Sequence, residues 1–348
     1  MRRNQGQGED ARLSVANLPT NMLCGLVLLA SELGVNCEDW FTGLRLNARE
    51  VQEPDARVSY RQAIEVIRRA LRSLPLDGVG LAMGAKQNGG NFGLLGLAMK
   101  TAPNFGEAVS IGLTYQHAIG PLMDLDMPSP EGGDTVTVAA SAPSAPADIL
   151  PFLCEEMFSS VLMLARELAG QEFRPLRLDL AYPAPMYAHK YTETFECEVR
   201  FDQPYNGMVV DSRWMVLPFP SYNPVTSRQA LAMCRAQLDA LSLQGETTAA
   251  VGRQLRPRLR DNPQMADIAA LLHLSERTLR RQLAEEGTRF TALHDHIRTQ
   301  RALELLHDRG LTISRVGNQV GFTDVREFRR AFKRWTGYTP SEARERMA

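Results

Sequence analysis

Two short runs near the carboxyl end carry the side chains best suited to act on another molecule. One is Arg277, Thr278, Arg280 and Arg281; the other is Val325, Arg326, Arg329, Arg330 and Lys333. Spacings of three and four residues put such side chains on one side of a helix. A guanidinium presents paired N–H donors that match O6 and N7 of guanine in a major groove, and the same group pairs with phosphates. The chemistry on offer is recognition of a polyanion. Covalent chemistry is poorly supplied. The cysteines, Cys24, Cys37, Cys154, Cys197 and Cys234, are odd in number, widely spaced and without a CxxC pair. That pattern fits free thiols in a reducing compartment and argues against a zinc finger, a thioredoxin-like site or a disulfide scaffold. No GxSxG, HExxH or P-loop motif occurs. His294 and His296 stand two apart on a helix and diverge, so no metal site is expected. No cofactor is expected.

The elements that must hold the two basic runs form a repeat. Asn262-Pro263 is expected to start a helix whose Ile268, Ala269 and Leu272 face inward; Ser275 caps a second, with Leu279 and Leu283 inward and Gly287 closing it. The pattern returns with Ile313, Val316 and Val320, a Gly321-Phe322 turn, a cap at Thr323 or Asp324, then Phe328, Phe332 and a closing Gly337. The offset is 48 residues in the first helix of each pair and 49 in the second, so the second turn is one residue longer. Ala269 and Gly317 match where the paired helices must approach closely. Between the pairs, Phe290–His307 reads as one continuous helix, on which Arg298 and Arg301 suit structural or phosphate roles. Each pair has the size of a DNA-reading helix-turn-helix. A rigid connector can hold two of them about one DNA turn apart, roughly 34 Å.

The whole chain has 348 residues, long enough for two or three domains, and 44% of them are apolar. The longest apolar run, Met22–Ala30, is far short of a bilayer span, and no secretory signal precedes it, so a cytoplasmic protein with no membrane partner is expected. Charge is divided unevenly. Residues 253–348 hold 19 Lys+Arg against 12 Asp+Glu, and the remainder holds 20 against 28. A basic, arginine-dominated block on an acidic body suggests a nucleic-acid module.

Ahead of it, Asn21–Leu33, Ser59–Leu74 and Pro103–Ala118 read as helices, and Gly84–Gly96, with five glycines, as loop and turn. Asp134–Ala140 alternates like a strand; Asp148 is expected to cap a long helix, Ile149–Ala169; Leu176–Ala181, Glu196–Phe201 and Met208–Asp211 read as short strands. Pro218, Pro220 and Pro224 mark a boundary, after which Ser227–Leu243 is helical, a connector or an oligomerisation helix. The expected fold class is α+β: a mixed α/β N-terminal domain, then an all-α C-terminal domain with two helix-turn-helix units joined by a linker helix. The expected divisions are a tail over 1–15, a regulatory domain over 16–224, a connector over 225–248 and the double reader over 249–348.

At this point the residues resemble a known family. The C-terminal hundred are similar to the arabinose-regulator (AraC/XylS) class of bacterial transcription factors. The match is closest at Val316-Gly317-Asn318-Gln319-Val320-Gly321-Phe322-Thr323-Asp324, at Arg326-Glu327-Phe328-Arg329-Arg330-Ala331-Phe332-Lys333-Arg334-Trp335-Thr336-Gly337 and at Thr339-Pro340-Ser341-Glu342. Gly317 stands where the family usually has Ala. Asn91–Thr114 and Phe201–Leu217 are similar to the effector-binding N-terminal domain of one branch of that family. The resemblance implies a promoter-reading regulator whose partners are double-stranded DNA, a small-molecule effector, RNA polymerase and a second copy of the chain. Carried over by position, Arg277, Arg280 and Arg281 in the first unit and Val325, Arg326, Arg329 and Arg330 in the second would face DNA, and Thr278 and Lys333 stand beside them. Phe92, Met99, Phe105, Tyr115 and His117 are candidates for the effector pocket, although the apolar ones equally suit a core and His117, like His189, a structural role. Two rivals remain. A fusion of such a reader to an alkyl-transfer repair unit would be an enzyme, but it needs an activated cysteine, typically in a Pro-Cys-His context, and here Cys154 and Cys197 have acidic neighbours that raise a thiol pKa. A non-specific architectural DNA binder would leave the N-terminal domain without a purpose.

Overall fold

The computed structural model describes residues 15–53, 56–116, 122–128, 133–220, 222–239 and 245–346. Two compact units divide the chain, one over residues 17–243 and the other over 244–348 together with Val15 and Ala16.

The first unit begins with strand β1 (Ala16–Pro19), helix α1 (Asn21–Glu32), strand β2 (Arg57–Ser59), which pairs with β1, and helix α2 (Tyr60–Ser73). A full capping box starts α2: Ser59 Oγ accepts from the Gln62 amide, and the Gln62 side chain accepts from the Ser59 amide. Helices α3 (Val79–Gly84), α4 (Gly93–Lys100) and α5 (Phe105–Tyr115) follow, then strands β3 (Asp124–Asp126) and β4 (Thr135–Ser141). Helix α6 (Leu150–Ala169) is buried on almost every side, with Phe152, Leu153, Cys154, Phe158, Leu162 and Ala165 in the core. Strand β5 (Arg177–Asp179), helix α7 (His189–Phe195), strands β6 (Glu198–Arg200) and β7 (Asn206–Asp211) and helix α8 (Pro224–Asp239) complete the unit. The sheet order is β3-β4-β7-β5-β6, antiparallel except for β5 against β6. In β4, Val136 and Val138 are buried while Thr135 and Ser141 are exposed, the alternation of a half-buried strand.

Two expectations are corrected here. The Gly84–Gly96 stretch is not simply loop: it holds the end of α3, a 3₁₀ turn over Gly89–Phe92 and the first half of α4. Its glycines, with Gly80, mostly permit close approach. A Cβ on Gly80 would lie 2.5 Å from the Phe152 carbonyl oxygen, one on Gly84 2.4 Å from Ser159 Cβ, and one on Gly96 1.9 Å from the Gly89 carbonyl oxygen. Helix α3 therefore lies against α6 at backbone contact. Asp148 does not cap α6; its carboxylate takes Nε of Arg68 at 2.8 Å, and Pro151 in the first turn serves the helix start instead. The connector candidate appears as α8, packed on α4, with Cys234 buried; Leu241 lies outside the described residues.

The second unit is all helix. Helix α9 (Glu246–Leu255) runs into a 3₁₀ turn (Arg256–Asp261), followed by α10 (Met265–Leu271), α11 (Glu276–Glu285), α12 (Phe290–Leu306), α13 (Ile313–Gln319), α14 (Val325–Thr336) and α15 (Pro340–Arg346). Asn262-Pro263 does not start α10. Asn262 sits at φ +50° and ends the preceding turn, and Gln264 caps α10 through a box with Asp267. There are two cores. Val251, Leu255, Leu259, Ile268, Leu279 and Leu283 fill the first, and Val316, Val320, Phe328 and Phe332 the second. Helix α12 serves both, with Leu293 and Ile297 in one and Ala302 and Leu306 in the other.

Candidate nucleic-acid interface

Each basic run sits on the second helix of its pair, and the apolar side of that helix fixes which side is left to solvent. In α11, Leu279 and Leu283 are buried, while Arg277, Arg280 and Arg281 are exposed. Ser275 caps the helix by accepting from the Thr278 amide at 3.2 Å, and its hydroxyl shares a 2.8 Å hydrogen bond with the Thr278 hydroxyl. Thr278 is thus half-buried and engaged in the cap. Arg281 donates to Glu285 one turn on, at 2.8 Å, an exposed pair that a phosphate or a base can displace at little cost.

In α14, Phe328, Ala331 and Phe332 are buried and Arg326, Arg329, Arg330 and Lys333 exposed; Val325 is half-buried in the first turn. Asp324 is the cap, accepting from the Arg326 amide at 2.7 Å. Lys333 and Arg334 stand in the last turn, where cations complement the helix dipole, and Gly337 at φ +82° ends it. Thus the guanidinium groups of both runs remain outside the cores.

The geometry also shows what Arg298, expected to have a structural or phosphate role, touches, and adds Glu286, which sequence reasoning did not place. Arg298, on α12, joins the two pairs. Its guanidinium stacks 4.9 Å from the ring centroid of Phe322, in the second turn, and donates to Asn262 Oδ1, at the entry to the first pair. Beside it, Gly321 at φ +85° lies so near the 3₁₀ turn that a Cβ would be 2.3 Å from the Leu259 carbonyl oxygen. The two readers are thereby locked within one unit. Glu286, just past α11, receives the Thr247 amide at 2.9 Å and the Thr248 amide and hydroxyl at 2.7 Å each, and so caps α9 from a distance. Its partners lie almost 40 residues earlier in the chain, so no local signal marks it.

In the first unit, Met99, Phe105 and Tyr115 are buried in the core and Phe92 is half-buried against it. The Phe105 ring lies 5.5 Å from that of Phe173 and 6.3 Å from that of Phe219. His117 falls outside the described residues. Unforeseen in the sequence are two buried carboxyls side by side on α6. Glu155 accepts from Tyr191 at 2.6 Å, Tyr187 at 2.8 Å and the Gly80 amide at 3.2 Å, and burial pushes its pKa upward against those hydrogen bonds. Glu156 has one donor, Ser160 at 3.1 Å, and burial pushes it up to about 7.

Comparison with known proteins decides between the remaining readings. The family model described as the arabinose-binding domain of AraC transcription regulator, N-terminal, matches residues 34–219, and a helix-turn-helix domain model matches residues 268–346. The chain belongs to the AraC/XylS family. It is a sequence-specific, effector-regulated DNA-binding regulator of transcription, with the mixed α/β and tandem-reader architecture of that family. It is 30% identical over 320 residues to the ornithine utilization regulator of Pseudomonas aeruginosa, covering 92% of this chain and 94% of that one. It is 32% identical over 332 residues to an uncharacterized HTH-type transcriptional regulator of Mycobacterium tuberculosis, covering 93% and 94%. The crystal structure of the transcriptional regulator CdpR from Pseudomonas aeruginosa is similar with a TM-score of 0.46 at 23% identity, over 93% of this chain and 98% of that one.

An AraC/XylS regulator needs no nucleophile, and the alkyl-transfer alternative finds no support. Burial raises the pKa of every one of the five thiols; Cys197 is pushed up to about 11 by burial and by Glu198, and Cys154 further still by burial and by Glu155. A reactive thiolate needs the opposite. Among the described residues no helix is long and apolar enough to cross a membrane.

Proposed function

We propose that α11 and α14 of this AraC/XylS regulator enter successive major grooves of one promoter. Arg277, Arg280, Arg281, Arg326, Arg329 and Arg330 would reach bases or the flanking phosphates, with Thr278, Val325 and Lys333 beside them. The observation that carries this reading is the pair of helices, each anchored by buried Leu or Phe side chains and each presenting an arginine-rich side to solvent, both held by the single helix α12. The Arg298 clamp supports it further, because reading two grooves at once needs a fixed spacing.

The unit within 17–243 binds a small molecule in the cytoplasm, pairs with a second copy and shifts the readers between two arrangements. The effector does this by binding one arrangement more tightly. RNA polymerase is the partner that converts promoter occupancy into altered transcription. Because one relative is an ornithine utilization regulator, basic amino acids are the first effectors to try in a thermal-shift screen of the whole protein.

The test of DNA reading is a binding site selected from a random duplex library. Arg281→Ala and Arg330→Ala should each weaken the selected site by about 1–3 kcal/mol, roughly 5- to 150-fold, with a much smaller loss on random duplex. Equal losses on both would reduce these arginines to phosphate contacts. Selection that yields no consensus would refute sequence-specific reading by these helices.

A further inference from the structure

Beside α11 lies a half-open cleft of about 620 Å³, walled by the start of α10, by α11, by the turn at Thr288 and Arg289 and by α12. Small-molecule sites commonly enclose roughly 300–1,000 Å³. Its apolar surface includes Leu283 and Phe290, and its cations are Arg280, Arg289 and Arg298. The lining has a single carboxylate, Asp295, which Arg334 on α14 already approaches at 3.5 Å. Among the described residues neither Arg280 nor Arg289 is in an ion pair. The cleft therefore holds an excess of positive charge over an apolar floor.

His294 marks the same place. It lines the cleft at 7% exposure, and its Nε2 has no hydrogen-bond partner; Nε of Arg298 is also buried without one. Buried polar groups are almost always satisfied, so two neighbouring exceptions in one cleft wall call for a partner from outside the chain. Burial and the adjacent Arg298 guanidinium lower the His294 pKa to about 4 against a smaller opposing effect of Asp295, so the ring is neutral and offers one N–H donor.

We propose that this cleft is a second ligand site, for a small organic anion that carries a carboxylate on a compact apolar body. The carboxylate meets Arg289, Arg298 and the His294 N–H, and the body lies on Leu283 and Phe290. Arg280 belongs both to the cleft wall and to the outward side of α11. Occupancy draws its charge toward the ligand and lowers affinity for DNA, a consequence that rests on the reading of α11 as a DNA-facing helix.

Calorimetric titration of the full chain with benzoate, with its neutral isostere benzamide and with inorganic phosphate tests the site. The same preparation is assayed on the selected DNA site. Benzoate should bind, and benzamide at least tenfold more weakly. Arg289→Met, which removes a cation, and Thr291→Trp, which fills the cleft from an exposed rim position, should each weaken benzoate at least tenfold. Saturating benzoate should weaken DNA binding severalfold in the wild type and have no effect in either variant. Absence of benzoate binding, equal binding of benzamide, or benzoate binding that survives both substitutions would overturn the site. Binding of phosphate without benzoate would assign the cleft to a bare phosphate, such as that of the DNA backbone, and overturn it equally. Benzoate binding without effect on DNA affinity would overturn the coupling. Failure to bind DNA with no anion present would count against the DNA-reading proposal alone, since the calorimetry decides the cleft independently.

Discussion

The duplication within the reader makes a quantitative prediction about its second core. Where the first unit pairs Ala269 with Leu279, the second pairs Gly317 with Phe328, so a smaller residue has met a larger one across the same helix contact. A Cβ on Gly317 would lie 3.0 Å from Cδ1 and Cγ of Phe328 and 3.1 Å from its Cβ, where ordinary contact begins at 3.4 Å. The ring would have to retreat by about 0.4 Å. It cannot do so freely: Phe328 is fully buried, with the rings of Phe322 and Phe332 each 5.7 Å away. Alanine in a helix interior gains about 0.5–1 kcal/mol over glycine. Overpacking a close-packed core costs about 1–3 kcal/mol. Gly317→Ala alone should therefore destabilise the second unit by about 1 kcal/mol. In a Phe328→Leu background the same substitution should stabilise it by about 0.5–1 kcal/mol, since the first unit accommodates that combination. The coupling energy is then about 1.5–2 kcal/mol, well outside the roughly 0.5 kcal/mol within which independent sites add. Hydrogen exchange of peptides spanning 313–336 in the full chain reads the local opening free energy for all four members of the cycle. Additivity within that margin, or a stabilising Gly317→Ala on its own, would refute the volume exchange.

Three further outcomes follow from single side chains. Arg298→Met removes the link between Asn262 and Phe322, so affinity for the full selected site should fall at least tenfold while binding to random duplex stays within about twofold, since only the former needs both readers in register; parallel losses would refute the clamp. Glu286→Gln keeps the shape but loses the charge that caps α9, and it should cost about 1–2 kcal/mol, seen as faster exchange in the peptide over 246–255; unchanged exchange would remove the cap from the account. Glu156 stays protonated in the fold up to about 7 but ionises near its ordinary 4.5 when unfolded, so its contribution to stability is full below 4.5 and drains away as pH rises from 4.5 to 7. Glu156→Gln should therefore gain in thermal midpoint over the wild type between about pH 5 and about pH 7.5, and matching pH profiles would show that the carboxyl is not held neutral.

What could be read from the sequence was whatever has its partner within a few residues. Ser59, Ser275 and Asp324 cap the helices they precede, because the accepting side chain and the donating amide lie two or three residues apart. The longer second turn is equally local. The caps Gln264 and Ser275 stand eleven residues apart and Thr312 and Asp324 twelve, and the left-handed position falls at His273 in one turn and Gly321 in the other. Both basic runs came from the same periodicity, since buried Leu or Phe at helical spacing decides which side chains remain outside.

The misreadings share a different cause. Asp148 would make an acceptable cap, yet Arg68, 80 residues earlier, offers its carboxylate a two-point partner. Gly84 and Gly96 have the composition of a turn, and the same residue type serves equally where two backbones touch; Gly84 meets α6 about 75 residues further on, and Gly96 meets Gly89. Glu286 drew no reading at all, because the helix it caps lies almost 40 residues earlier in the chain. The effector candidates fail to discriminate for a related reason. Met99, Phe105 and Tyr115 would look the same in sequence whether they filled a core or lined a cavity, because burial selects for apolar volume in both cases. The cleft beside α11 differs in that two of its polar atoms, Nε2 of His294 and Nε of Arg298, are buried and unsatisfied, a condition that exists only once α10, α11 and α12 have come together. A search for ligand sites in this regulator should therefore start from buried nitrogens without a partner, such as Nε2 of His294 and Nε of Arg298, before turning to apolar residues.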